Sequence, residues 1–371
     1  MYIWQIPHWP DFSWNDKKLA PLLAEANREQ ARLLGKMEAL GFELRSEAYL
    51  RNMTQEVVKS SEIEGENLNA DQVRSSIARR LGMDVAGLVP ADRNVEGVVE
   101  MMLDATQNYA DPLTDVRLFA WHCALFPASF SGLKPILTGC WRSDSDGPMQ
   151  VVSGSYGHEH VHYQAPPAEM VPVDIESFLG WFDEPTQIDP LLNAGIAHLH
   201  FVTIHPLEDG NGRIARAITE MALARGEDSH QRAYSMSSQI RIEHTDYYDI
   251  LERTQKGSLD ITAWLKWFLG CLTRAIKDAQ LRLEEALKKA RFWDRFGKEA
   301  LNDRQIKVLW RVMREDWEGK LTSSKWAKLA NCSQDTAGRD INNLIERGAL
   351  QKDAPGGRST SYSVISGIKE N

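Results

Sequence analysis

The chain reads as a mostly α-helical protein with one small β-hairpin insertion and a small C-terminal unit of helices followed by a hairpin. Three observations point to that class. Apolar residues recur at three- and four-residue spacing over most of the 371 positions, the period of helices with one buried face. Between 132 and 172 that period breaks, and Gly132, Gly139, Gly147, Pro148, Gly154, Gly157, Pro166 and Pro167 punctuate short strand-like runs. From 300 onward, short helical patterns end in Gly356-Gly357-Arg358 and Tyr362-Ser363-Val364, the pattern of a hairpin.

Composition bounds the function. Hydrophobic residues make up 43% and charged residues 26%, ordinary for a soluble globular chain. The net charge of −9 argues against bulk attraction to nucleic acid. Residues 301–371 hold twelve Lys and Arg against nine Asp and Glu, or +3, so the remainder carries −12. Cys123, Cys140, Cys271 and Cys332 are far apart and form no C-x-x-C, which fits a reducing compartment. No apolar run is long enough to span a bilayer, and residues 1–10 lack the pattern of a signal peptide. No membrane partner is expected, and the cytoplasm is the expected location.

Taken in order, residues 1–25 are rich in Trp and Pro (Trp4, Trp9, Trp14) and predict an arm anchored on the body. Residues 26–58 read as helices. Leu50, Met53 and Val57 form a stripe that Ser60, Ser61 and Glu64 continue. A carboxylate on a buried face needs a partner, and Arg213 or Arg216 is the candidate. Residues 69–105 are helical with a turn near Gly87–Pro90, and 113–126 form a helix whose His122 is assigned no chemistry. In the punctuated stretch, Met149 to Ser153 and Val161 to Tyr163 predict a pair of short strands. His158, His160 and His162 alternate on one of them. They read as a polar hairpin tip, because no carboxylate or Cys completes a ligand set in the sequence. Residues 173–204 give two helices, and 262–296 one long helix that ends basic.

The chemistry concentrates in His205-Pro206-Leu207-Glu208-Asp209-Gly210-Asn211-Gly212-Arg213-Ile214-Ala215-Arg216. An apolar helical run precedes it, and Ile214, Ala217, Ile218, Met221 and Ala222 continue it at helical spacing. The glycines therefore lie where a second helix begins. Free N–H groups and the positive end of the helix dipole favour an anion there. Asn211 can add an amide donor. Arg213 and Arg216 share a helix face and can clamp a polyphosphate. Asp209 is a hard oxygen ligand suited to Mg²⁺, and His205 suits a general base. Tyr247 and Tyr248 are open to two readings, stacking on a base or packing in the core.

This stretch resembles the Fic-family signature His-Pro-Phe-x-Asp-Gly-Asn-Gly-Arg-x-x-Arg, with Leu207 where Phe is usual. Leu207 is expected to point into the core. The Gly212-Arg213 pair resembles the branch that transfers AMP; the kinase-like branch has Lys in place of that glycine. The resemblance implies that His205 deprotonates a target hydroxyl and Asp209 holds Mg²⁺. It implies that Gly210, Asn211 and Gly212 form an anion nest, and that Arg213 and Arg216 hold the β- and γ-phosphates. The implied reaction moves AMP from ATP to a Ser, Thr or Tyr hydroxyl of a target protein or of the chain itself, releasing pyrophosphate.

Ser60-Ser61-Glu62-Ile63-Glu64-Gly65 is similar to the family's inhibitory motif, [Ser/Thr]-x-x-x-Glu-[Gly/Asn]. There the Glu pairs with the second motif arginine and blocks the γ-phosphate. The resemblance leaves open whether Glu64 also aligns a water for AMP removal. The hairpin resembles the family's flap, with Val151, Val152, Ser153 and Gly154 aligning a target segment by strand addition. Residues 1–25 resemble an N-terminal extension of some bacterial Fic proteins.

Residues 300–365 resemble bacterial winged-helix domains. Gln334, Thr336, Arg339 and Asn343 on the third helix, and Arg358 in the wing, are the candidate DNA contacts. Protein docking is the competing use, and a nucleotide-sensing, DNA-binding regulator is the competing reading of the whole chain. The expected division is an N-terminal helical region over 1–105, a Fic core over 106–275, a linker helix over 276–299 and a winged helix-turn-helix over 300–371. A homodimer is left open.

Overall fold

The computed structural model describes all residues except 146, 155–159, 298–300, 314–316, 354–359 and 366–371. Among the described residues the helices are α1 (Asp16–Glu38), α2 (Phe42–Ile63), α3 (Ala70–Arg80), α4 (Arg93–Gln107) and α5 (Asp115–Leu125). Four short strands follow, β1 (Phe130–Ser131), β2 (Lys134–Pro135), β3 (Gln150–Ser153) and β4 (His160–Gln164). Then come α6 (Val171–Asp183), α7 (Pro190–Ile204), α8 (Asn211–Glu227), α9 (Met236–Ile242), α10 (His244–Gln255) and α11 (Thr262–Phe296). The C-terminal elements are α12 (Asp303–Val312), β5 (Leu321–Thr322), α13 (Ser323–Ala330), α14 (Gln334–Glu346), β6 (Leu350–Lys352) and β7 (Ser361–Val364). The mostly helical class is the one expected.

The chain divides into two units, Met1–Ala279 and Gln280–Asn371, with the boundary inside α11. The expected four-part division changes accordingly. The N-terminal region and the motif-bearing core form one unit. Phe292 and Phe296, within the expected linker helix, join the C-terminal core.

In the first unit α7 and α8 sit at the centre and are buried along nearly their whole length. That burial explains why α7 is apolar on every side, unlike a surface helix. Asp189 caps α7, with Pro190 at its first turn where no N–H is needed. The N-terminal arm is packed down: Trp4 Nε1 donates to Gln164 O at 2.9 Å, and Trp9 and Phe12 meet the buried His200 ring edge to face. On α2, Glu56 is buried and accepts from Ser235 Oγ at 2.7 Å, from Ser237 N at 2.9 Å and from Ser237 Oγ. It thereby satisfies an N–H at the start of α9 and fixes α2 against it.

The strands form two antiparallel pairs, β1–β2 and β3–β4, and a three-stranded sheet of order β5-β7-β6. In β3–β4 a bulge lies between Val151 and Val152, which pair with Tyr163 and Val161. The Tyr163 hydroxyl donates to Thr203 O at 2.6 Å and pins β4 to α7.

In the second unit Trp326, Val308, Leu309, Ile341 and Leu344 build the core. Thr322 caps α13, Asn331 ends it in the left-handed region (φ 50°), and Ser333 caps α14. Gln334 and Arg339 are exposed on α14 and Thr336 is half-buried. Asn343, expected on the exposed face, instead accepts from Gln305 Nε2 at 3.1 Å. Asp340 is buried one turn earlier and draws Arg304 and Asn302 to the same side, so that edge of α14 faces α12. Arg358 lies outside the described residues.

Two outcomes follow from this packing. Glu56→Ala leaves buried donors of α9 without an acceptor and lowers stability by about 2 kcal/mol, read as the urea unfolding midpoint of the first unit. Burial holds His198 and His200 down to about 3, below the ordinary 6.5. The unfolded chain therefore binds protons first, and stability present above pH 6.5 declines as pH falls toward the folded values. The fall in urea midpoint between pH 7 and pH 5 is smaller in His200→Phe than in the wild type; equal falls contradict the assignment.

Candidate active site at the α7–α8 turn

His205 ends α7 in the left-handed region (φ 51°, ψ 57°), where a non-glycine residue is strained by about 1 kcal/mol or more. Arg142 holds it there. Buried between the hairpin and the turn, it donates from Nε to His205 O at 2.7 Å and from its backbone N–H to Pro206 O at 2.9 Å. Asp144 and Pro166 O take the rest of the guanidinium. His205 Nδ1 lies 3.3 Å from Val202 O. A carbonyl can only accept, so Nδ1 carries the proton and Nε2 is left as an acceptor. Burial, aided by the Arg142 charge and opposed by the Val202 carbonyl, Asp209 and Glu64, pulls the imidazole down to about 4. The ring is therefore neutral and basic at Nε2 near neutral pH.

The turn is braced from inside. Leu207 is fully buried, so the Leu that departs from the usual Phe still fills the core. Asn211 Oδ1 accepts from Leu207 N at 3.0 Å, and its Nδ2 donates to Leu207 O at 2.8 Å. The amide oxygen and one N–H of Asn211 are thus engaged with Leu207, and the side chain shapes the loop. Gly210, the N-cap of α8, has φ 78°. Asp209 Oδ1 accepts from Gly210 N at 2.6 Å, and its Oδ2 accepts from Ser131 Oγ. Ser131 on β1 has no signature in the sequence, and neither does Leu137, whose N–H donates to Glu208 at 2.8 Å.

The arginines meet the end of α2. Gly65 takes φ 81°, and its N–H bonds Glu62 O while Glu66 N–H bonds Ser61 O. This Schellman ending turns two carboxylates toward α8. Glu64 Oε1 accepts from Arg216 Nη2 at 2.9 Å, and Glu66 Oε2 accepts from Arg213 Nη1 at 2.6 Å. Arg216 also donates to Ser60 Oγ at 2.8 Å and Ser60 O at 2.9 Å. Both guanidinium side chains are almost wholly buried, but the Glu64 side chain is 29% exposed, so it lies at the lip of the site and not inside the core. A Cβ on Gly212 would stand 2.2 Å from Glu64 Oε1, so only glycine lets the carboxylate rest on the first turn of α8. Arg216 Nη1 and Arg213 Nε are buried without a hydrogen-bond partner. Glu66 is a contact the sequence reading missed.

The hairpin presents Val151 half-buried, and Val152, Ser153 and Gly154 exposed. Among the described residues β3 pairs with β4 alone, so its other edge is open. The paired tyrosines separate. Tyr247 is fully buried with its hydroxyl 2.9 Å from His198 Nε2 and its ring against Trp267; packed on all sides, it cannot stack on a ligand base. Tyr248 is half-buried, its ring meeting His244 and Tyr247. The arrangement as a whole offers a neutral base, an oriented carboxylate and two buried cations around the N-terminus of one helix, which suits an anion with a reacting hydroxyl beside it.

Residues 112–223 match the Fic/DOC family, and residues 2–83 match a domain of unknown function, DUF4172. Over 123 residues the chain is 32% identical to Protein adenylyltransferase Fic of Nematostella vectensis, covering 31% of this chain and 26% of the relative. Over 59 residues it is 41% identical to Protein adenylyltransferase fic-1 of Caenorhabditis elegans, covering 15% of this chain and 12% of the relative. The chain thus matches about a quarter or less of the length of these relatives. A crystal structure of a Fic family protein from Desulfovibrio desulfuricans G20 superposes with a TM-score of 0.56 at 21% identity, over 98% of this chain and all of that one, a likeness of fold. His205, Asp209, Arg213 and Arg216 therefore lie within the region, residues 112–223, that matches the Fic/DOC family.

Proposed function

We propose that the chain is a protein adenylyltransferase that moves AMP from ATP to a hydroxyl of a target protein or of itself, held in check by Glu64. The observation that carries the reading is the Glu64 carboxylate resting on Gly212 beside Arg216, whose Nη1 lacks a partner. A carboxylate there occupies ground suited to a phosphate. The similarity of the motif segment to named adenylyltransferases supports AMP as the group moved.

In this reading His205 Nε2 takes the proton of the target hydroxyl. The hydroxyl oxygen bonds the α-phosphorus, the bond to the β-phosphate oxygen breaks, and pyrophosphate leaves with its electron pair. Arg213 and Arg216 neutralise the leaving phosphates once Glu66 and Glu64 yield them. Asp209 fits a hard cation, since it is acceptor-only and aimed by Ser131 and Gly210. Bound there with the phosphates, Mg²⁺ would neutralise developing charge. The open edge of β3 would align the target backbone, and Tyr248 is the remaining aromatic candidate at the adenine.

Intact mass after incubation with Mg²⁺ and ATP tests the reading. An AMP adduct increases at least tenfold in Glu64→Gly over the wild type and is absent from Glu64→Gly with His205→Ala. No adduct in any form, on the chain or on proteins of a cell extract, overturns it. Ser131→Ala in the Glu64→Gly background raises the Mg²⁺ concentration for half-maximal adduct formation by about tenfold, the usual cost of losing a group that orients a ligand. An unchanged Mg²⁺ requirement contradicts the role given to Asp209.

A further inference from the structure

The hairpin and α10 bring together a second set of groups that the phosphate chemistry does not use. His160 and His162 are two apart on β4 and so project from one face of the strand, with ring centroids 4.5 Å apart. Glu252 comes from α10, and its Oε2 lies 2.6 Å from His162 Nδ1. One ligand atom from each of the three residues lies within 4.8 Å of the others. In sequence the histidines read as a polar hairpin, because the neighbouring carboxylate, Glu159, alternates with them and does not share their strand face. Glu252 supplies a carboxylate across space.

We propose that His160, His162 and Glu252 bind a Zn²⁺ ion that fastens the β3–β4 hairpin to α10. Two imidazoles and one carboxylate make a three-ligand zinc set that leaves a fourth position to water. Mg²⁺ and Ca²⁺ instead require oxygen ligands throughout. Around zinc, ligand atoms stand roughly 3.3 Å apart, given bonds of about 2.0–2.1 Å. Rotation of the exposed His160 brings its ring nitrogen in, while the Glu252–His162 pair opens from 2.6 Å as the hydrogen bond between them gives way to the metal. The surrounding groups also suit a metal site. Lys256 Nζ donates to Glu252 Oε1 at 2.6 Å, which orients the carboxylate and leaves Oε2 toward His162. His162 Nε2 lies 2.6 Å from Ser153 Oγ. Without metal, Nδ1–H donates to Glu252 and Nε2 accepts from the serine hydroxyl. With metal on Nδ1 the ring takes the other tautomer, and Ser153, a donor and an acceptor, turns to receive Nε2–H.

The test is zinc competition with a chromophoric chelator on the tag-free full chain, joined to amide hydrogen exchange of the hairpin. The wild type takes up one equivalent at micromolar zinc. Affinity falls at least tenfold in His160→Ala/His162→Ala and in Glu252→Gln, which keeps the side-chain shape, and stays the same in the control His230→Ala. Zinc slows exchange over 150–153 and 160–164 in the wild type only. Far-UV circular dichroism without metal verifies that each variant is folded. No uptake by the wild type, or equal affinity in the ligand variants, overturns the proposal, and uptake without slowed exchange overturns the fastening.

Discussion

A guanidinium buried at the start of a helix is the demand around which the first unit is arranged. Arg216 projects beside the positive end of α8, so its charge and the helix dipole raise the local potential together. A buried cation is tolerated only with acceptors close by. The protein meets the demand with groups from one place, the last turn of α2, through Ser60 and Glu64. That requirement draws the N-terminal helices onto the motif and makes them one unit with it. Glu56, two turns before Glu64, secures the same helix to α9 and fixes the angle at which the carboxylate arrives.

A second buried guanidinium serves the backbone. The α7–α8 turn needs a left-handed residue where the chemistry calls for an imidazole, and glycine cannot supply one. Arg142 resolves the conflict by bonding the carbonyl of His205 and, through its own N–H, that of Pro206. The segment ahead of β3 that carries Arg142 thus helps to hold His205 in place. The hairpin that follows supplies Tyr163 to α7, so this part of the chain is set against the end of α7 by two independent contacts.

Much of this was legible in the sequence. The helices, the hairpin and the boundary of α8 at its glycines follow from periodicity and from backbone chemistry, which act over a few residues. The imidazole, the carboxylate and the arginines that the structure brings to one turn fall in a compact motif. The misreadings concern which way a side chain turns after packing. Tyr247 and Tyr248 are adjacent and chemically alike, yet one fills the core against His198 and the other reaches the surface. Asn343 follows Asp340 toward α12, a choice made by Arg304 on another helix. Ser131, Glu66 and Glu252 act through partners 78, 147 and 90 residues away, and no local pattern marks such pairs.

The ending of α2 carries a consequence of its own. Glu64 and Glu66 reach different arginines, yet both are aimed by the same two backbone hydrogen bonds around Gly65. Unwinding that single turn withdraws both carboxylates at once, while Ser60, one turn deeper, keeps its grip on Arg216. The two cations are therefore unmasked cooperatively and remain in register. Exposing them takes the unwinding of one helix end, at the cost of two ion pairs to buried guanidinium groups, and no movement of the body to which that end belongs.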